Sequence, residues 1–275
     1  MHRTTQRPSP GVPSLLIAIA IFYIALVFYI PTANIFYQAF QKGVDPFLAN
    51  LSRPAFLSAV QLTLSLTLIA VPLNVIFGLC AAWAITRHSF PGKALVLSMI
   101  DLPFSISPVV VGLMLVLMYG KQSWLGGWLD DHNIKIIFAF PGMLLATAFV
   151  SMPFVAREII PVLEEVGQDQ EEAARTLGAS DWQIFWRVTV PNIRWALLYG
   201  VVLTNARSMG EFGAVAVVSG NIASSTQSLP LYVEDTYKQY ETEAAYSAAL
   251  LLVLLAVVTL IIKTILEHKT KIKDV

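Results

Sequence analysis

Apolar blocks run through this chain at lengths that a water-soluble core does not use. A bilayer span needs about 20 consecutive, mostly apolar residues, and the stretch that opens at Leu15 continues past Ile30 to about Phe40. Arg3 and Arg7 ahead of it look like the start of a signal peptide. The stretch outruns the roughly 7–15 residues of a signal's apolar region, however, and no A-x-A cleavage pattern follows. It reads as a first spanning helix. Hydrophobic residues make up 56% of the 275 positions and charged residues only 13%, against roughly 25% charged in soluble domains. A water-soluble fold is therefore excluded, and the chain reads as an all-α integral membrane protein.

About six spans are expected, near 14–40, 57–86, 94–119, 136–156, 195–218 and 246–266, all within one transmembrane domain over 14–266. Net charge is zero, so the local distribution carries the information. Positive residues are retained on the cytoplasmic side. One set of connecting segments and tails holds twelve Lys and Arg, and the other holds five: Lys42, Arg53, Lys121, Lys135 and Lys238. The tails at 1–13 and 267–275 and the connection at 157–194 are thereby expected in the cytoplasm, which an even number of spans allows. The lone Cys80 excludes an internal disulfide and, lying inside an apolar block, is expected to pack. His2, His88, His132 and His268 lie outside the spans and form no metal or catalytic pattern.

In the third span, Pro103 and Pro108 interrupt Asp101-Leu102-Pro103-Phe104-Ser105-Ile106-Ser107-Pro108. Ser107 and Pro108 suit the N-cap and first turn of a restarted helix. A broken helix at membrane depth must be covered by protein or line a water-filled cavity, so Asp101 and Ser107 stand either at a structural kink or beside a translocation path.

The longest connection carries a folded pattern. Asp169 with Glu172 forms a capping-box signal for a helix through Leu177, which Gly178 can end in a left-handed conformation. Ser180 with Gln183 repeats the signal for a second helix, expected to stop near Pro191. Trp182, Ile184, Phe185, Trp186 and Val188 exceed the apolar surface a two-turn helix leaves in water. They either pack on the chain's own spans or meet another protein.

Glu172-Ala173-Ala174, three residues, Gly178, nine residues, then Val188-Thr189-Val190-Pro191 resembles the EAA signature of permease subunits in binding-protein-dependent ABC importers. The resemblance implies the MetI-like fold of type I importers, with a cytoplasmic coupling helix. Glu172, Ala173, Ala174, Gly178 and Pro191 would serve the ATPase contact. Further stretches, including Leu102-Pro103-Phe104, Leu125 to Asp130, Pro153 to Glu158 and Gly210 to Val215, resemble the CysW-type subunits of sulfate/thiosulfate importers over roughly residues 15–266. Molybdate permeases share part of the pattern. The resemblance implies a CysT-type permease partner, two copies of a CysA-type cytoplasmic ATPase and a periplasmic sulfate-binding protein, in a bacterial inner membrane and without nucleic acid. No G-x-x-x-x-G-K-[ST] loop is present, so ATP and its Mg are expected on the ATPase, with no cofactor or metal in this chain.

Arg207 falls about 12 residues beyond Trp195, or some 18 Å along a helix and near mid-membrane. Glu211, four residues on, can pair with it on one helical face. The pair is either structural or part of an anion path, and the small Gly200, Gly210, Gly213 and Ala214 nearby fit close packing or an exposed pathway. A secondary transporter is the competing class. It would usually show two related halves with paired broken helices, whereas only the segment near Pro103 reads as broken.

Overall fold

The computed structural model describes residues 11–271, with side chains from 14 to 265. Residues 1–10 and 272–275, including Arg3, Arg7 and Lys273, lie outside the described residues, as do the side chains of Lys269 and Lys271. Regular structure among the described residues is entirely helical. In chain order the helices are α1 (Ser14–Phe40), α2 (Val44–Leu51), α3 (Pro54–Arg87), α4 (Lys93–Ser105), α5 (Pro108–Tyr119), α6 (Gly126–Asp131) and α7 (Phe140–Val166). They continue as α8 (Asp169–Thr176), α9 (Asp181–Ile184), α10 (Val190–Met209), α11 (Gly213–Ser219), α12 (Leu229–Lys238) and α13 (Thr242–Lys271).

Helices α1, α3, α7 and α13 are each long and apolar enough to cross a bilayer, and α4 with α5, bent by 110°, is apolar enough to form a broken span or a re-entrant loop. Helices α10 and α11 follow one another across a short break. Thr189, just before α10, donates to Glu171 in the long connection, while the Val218 carbonyl at the far end of α11 accepts from the Phe138 N–H. Together α10 and α11 therefore join the two ends of the bundle.

Two π turns widen these helices, Ala25–Tyr29 within α1 and Phe185–Thr189 between α9 and α10. Each precedes a proline, Pro31 or Pro191, at the start of the resumed helix. Proline lacks an N–H, and its ring crowds the carbonyl four residues back. Ile30 and Val190 instead reach five residues back, to the carbonyls of Ala25 and Phe185, which lets each helix run on. The expected stop near Pro191 is thereby corrected.

The bundle is built around α7. Its apolar window is 56% buried, against 28% for α3, 11% for α13 and none for α1. Helix α3 buries Phe56, Ala59, Thr63, Leu66, Ala70, Asn74, Gly78, Ala82 and Ile85, steps of three and four that trace one face. Cys80 lies between those steps and is exposed, which corrects its expected packing role. The tightest approach is at Val155 of α7. A Cβ on Gly78 would lie 2.6 Å from its Cβ, and one on Gly200 would lie 3.0 Å from its Cα. Glycine at both positions lets α3 and α10 close on α7 from two sides.

The fourth span runs to Val166 rather than 156, so the long connection starts later than expected, and two interruptions also differ from expectation. Pro103 does not break the third span. Its buried ring stays inside α4, and the bend falls at Ile106 and Ser107, whose backbones are extended ahead of Pro108. The fifth span is not one helix either. Helix α10 ends at Met209, the chain turns through Gly210 to Phe212, and α11 restarts at Gly213. The molecule thus has a second broken span, and the two breaks touch: a Cβ on Gly213 would sit 3.1 Å from the Pro108 Cβ.

Replacing Gly78 by leucine should force α3 away from α7, at a cost of about 1–3 kcal/mol for overpacking. Thermal unfolding in detergent is expected to show that loss, while Gly127→Ala, whose Cβ meets open space, leaves the transition unchanged.

Candidate functional site

The long connection folds through local bonding. Helix α8 opens on Gln168 rather than Asp169, and no side chain caps it, so the expected Asp169–Glu172 capping box does not form. Asp169, Glu171 and Glu172 instead lie in the first turn, where negative charge suits the helix dipole. At the other end Gly178 is left-handed, with φ +84°. Its N–H donates to the Arg175 carbonyl at 3.0 Å, and the Ala179 N–H donates to the Ala174 carbonyl at 3.1 Å, the Schellman closure. The second capping box is present: the Gln183 N–H donates to Ser180 Oγ while the Ser180 N–H donates to Gln183 Oε1.

This element displays apolar surface. Leu177 is 88% exposed, Trp182 70% and Trp186 52%, whereas Ile184 alone of the aromatic-rich group is buried. Trp182, Phe185 and Trp186 pack on each other, with ring centroids 5.3–6.2 Å apart. Of the motif residues, Glu172, Ala173, Gly178 and Pro191 are exposed, and Ala174 is half-buried. Large apolar side chains exposed on an ordered surface element suit an interaction surface.

Glu171, which sequence reasoning passed over in favour of Glu172, holds this element to the bundle. The Arg87 Nε donates to its Oε2 at 2.9 Å, Arg87 Nη2 donates to its Oε1 at 3.0 Å, and Thr189 Oγ1 donates to Oε1 at 2.9 Å. Arg87 Nη1 also donates to the Leu163 carbonyl at 3.1 Å. The only trace in the sequence is a basic residue ending one apolar block and an acid opening a distant helix.

Arg207 and Glu211 pair across the end of α10. Arg207 Nη1 stands 2.7 Å from Glu211 Oε2, with the carboxylate side chain 2% exposed and the arginine 30%. That oxygen has no aligned hydrogen-bond donor, so the contact is ionic. Glu211 Oε1 accepts the Ala214 N–H at 2.9 Å, satisfying an amide at the start of α11. Beside the pair, Asn74 Nδ2 donates to Ser151 Oγ at 2.8 Å and to the Ala148 carbonyl at 3.1 Å, and Ser208 Oγ reaches Ser151 Oγ at 3.2 Å. Asp101 is not part of this group. It pairs with Arg157 on α7, and Ser107 is exposed at the start of α5.

A bundle of at least four membrane-length apolar helices, with an ordered element that exposes apolar side chains, is the build of a membrane permease subunit. The chain belongs to the family of binding-protein-dependent transport system inner membrane components, which residues 74–272 match. It is similar to the sulfate transport system permease protein CysW of Synechocystis sp., 64% identical over 256 residues and covering 93% of each chain. It is also similar to the sulfate transport system permease protein CysT of Escherichia coli K12, 36% identical over 246 residues, covering 90% of this chain and 88% of that one. Its fold matches a solved bacterial alginate ABC transporter in complex with an alginate pentasaccharide-bound periplasmic protein. The TM-score is 0.75 at 18% identity, over 93% of this chain and 92% of the other.

Arg207→Met should destabilise the protein by about 3–5 kcal/mol by leaving a buried carboxylate unpaired. Arg207→Met with Glu211→Gln, which keeps an oxygen for the Ala214 N–H, should recover most of the loss in detergent unfolding.

Proposed function

We propose that this chain is the permease subunit of an ATP-driven importer that moves sulfate or thiosulfate across a bacterial inner membrane. The single observation that carries this reading is the Glu172-Ala173-Ala174 to Gly178 element, folded against the bundle yet exposing Leu177, Trp182 and Trp186. Its relatives' names supply the substrate class. On this reading the element is a coupling helix that seats on a separate ATPase, present in two copies, which binds ATP and Mg and performs the hydrolysis. This chain contributes neither the reaction nor a cofactor site. Glu172, Ala173, Ala174 and Gly178 meet the ATPase, and Pro191 marks the π turn at which the element joins α10.

The excess of basic residues, twelve against five, supports a cytoplasmic position for the coupling element and both tails. A CysT-type permease completes the membrane unit, lipid surrounds it, and a periplasmic sulfate-binding protein delivers the ion at the opposite end. Arg207 and Glu211 form a structural pair that braces the break between α10 and α11. The partly exposed Arg207 guanidinium, Asp101 and Ser107 lie at the margin of the path.

Two measurements test this. In a Cys80→Ala background, a cysteine at Ser180 should be shielded from an impermeant reagent in intact cells, and one at exposed Ser225 should react. Reaction at Ser180 from outside would refute the orientation. Gly178→Val places a β-branched residue at φ +84°, where the left-handed conformation costs roughly 1–2 kcal/mol. The reconstituted complex is expected to lose radiolabelled sulfate uptake and substrate-stimulated ATP hydrolysis, with the spans still inserted. Parental stimulation in this variant would sink the coupling role.

A further inference from the structure

Helix α8 has no fully buried residue, and its apolar Ala174 is only half-buried. It is also flanked by two glycines of positive φ, Gly167 at +69° and Gly178 at +84°, with open space around each. A short helix between two permissive joints, with no fully buried side chain of its own, would be free to pivot. The most buried tie that opposes this is made by Glu171. Glu171 is 12% exposed, and it meets Arg87, 6% exposed, through both carboxylate oxygens. The same guanidinium bonds the Leu163 carbonyl near the end of α7, and the same carboxylate receives Thr189 from the π turn before α10. The ends of α3, α7 and α10 thus converge on one ion pair. A bidentate guanidinium–carboxylate pair fixes direction as well as distance. The exposed Asn192 Nδ2 also donates to Gln170 Oε1 at 2.8 Å, a further tie between the first turn of α8 and the start of α10.

We infer that Arg87, Glu171 and Thr189 are the positioning residues that lock the coupling helix to the spans, so that its motion on the ATPase is transmitted to α3 and α7. Glu172 and Leu177 are thereby left free to face the ATPase. The inference rests on the coupling role proposed above. It differs from a purely structural role in one respect: the pair sets the angle of a surface helix, so its loss should impair transmission more than folding.

The test uses the full complex, with partner permease, ATPase and substrate-loaded binding protein, and compares Arg87→Met with Glu171→Leu, Glu171→Gln alone and Thr189→Val alone. Co-purification of the ATPase, basal hydrolysis, stimulation by the loaded binding protein and sulfate moved per ATP are measured for each. The double apolar replacement removes the buried charges together and is expected to assemble with unchanged basal hydrolysis. Its stimulation and its sulfate moved per ATP should fall about tenfold, a usual size for coupling between sites. Parental stimulation in an assembled double variant overturns the inference. If that variant does not assemble, the single variants decide: a reduced stimulation ratio in either supports the lock, and a parental ratio in both overturns it. Gly178→Val separates the two levels. Impaired stimulation there with parental behaviour in the Arg87 and Glu171 variants removes only the lock. Parental stimulation in Gly178→Val as well removes the coupling role itself.

Discussion

Every peptide group inside a bilayer must find its hydrogen bond within the protein, because the hydrocarbon offers none. The architecture follows from meeting that demand where the helices stop. The chain interrupts two spans, at Ile106–Ser107 and at Gly210–Phe212, and brings the restarted helices together, Gly213 against Pro108 and Gly112 against the Ala214 carbonyl. Glu211 then supplies an acceptor to the amide of Ala214, and Arg207 balances the charge this introduces. The buried ion pair is thus tied to a backbone requirement of the broken helix.

Prolines are absorbed by a related device. At Pro31 and Pro191 the preceding turn loosens to π bonding and the helix continues, while at Pro108 the chain bends instead. The difference lies in what surrounds each proline. Pro108 meets the second break, which covers the freed backbone, and at Pro191 the widened turn leads Thr189 to Glu171.

Burial is graded across the bundle, from α7 at its centre to α1, whose apolar window has no buried share at all. Packing at the centre depends on small residues, with Val155 held between Gly78 and Gly200. The connection after α7 inverts this logic. Its helix is attached by a charged, nearly water-free contact, and its tryptophans point outward. In a membrane subunit that attachment fixes an orientation while leaving the apolar face free for a partner.

Local chemistry was legible in the sequence. The first span, the left-handed Gly178, the Ser180–Gln183 capping box and the restart at Pro108 each depend on residues within a few positions of one another, and each is found where it was expected. The family signature was legible for the same reason, being a pattern of spacing. The sequence could not reveal that α10 stops at Met209, that Asp169 yields its capping place to Gln168, that Cys80 faces outward, or that Glu171 rather than Glu172 anchors the connection. The last of these depends on Arg87, 84 residues away. No periodicity or spacing rule links residues so far apart, because the distance between them is set by how α3 and α7 close on each other around glycine. Sequence alone determined the apolar helices and those of their ends that carry a local cap, such as Gly178 and Ser180. Only the packed bundle decided which charges meet, since that choice is made by the approach of segments whose order along the chain says nothing about their separation in space.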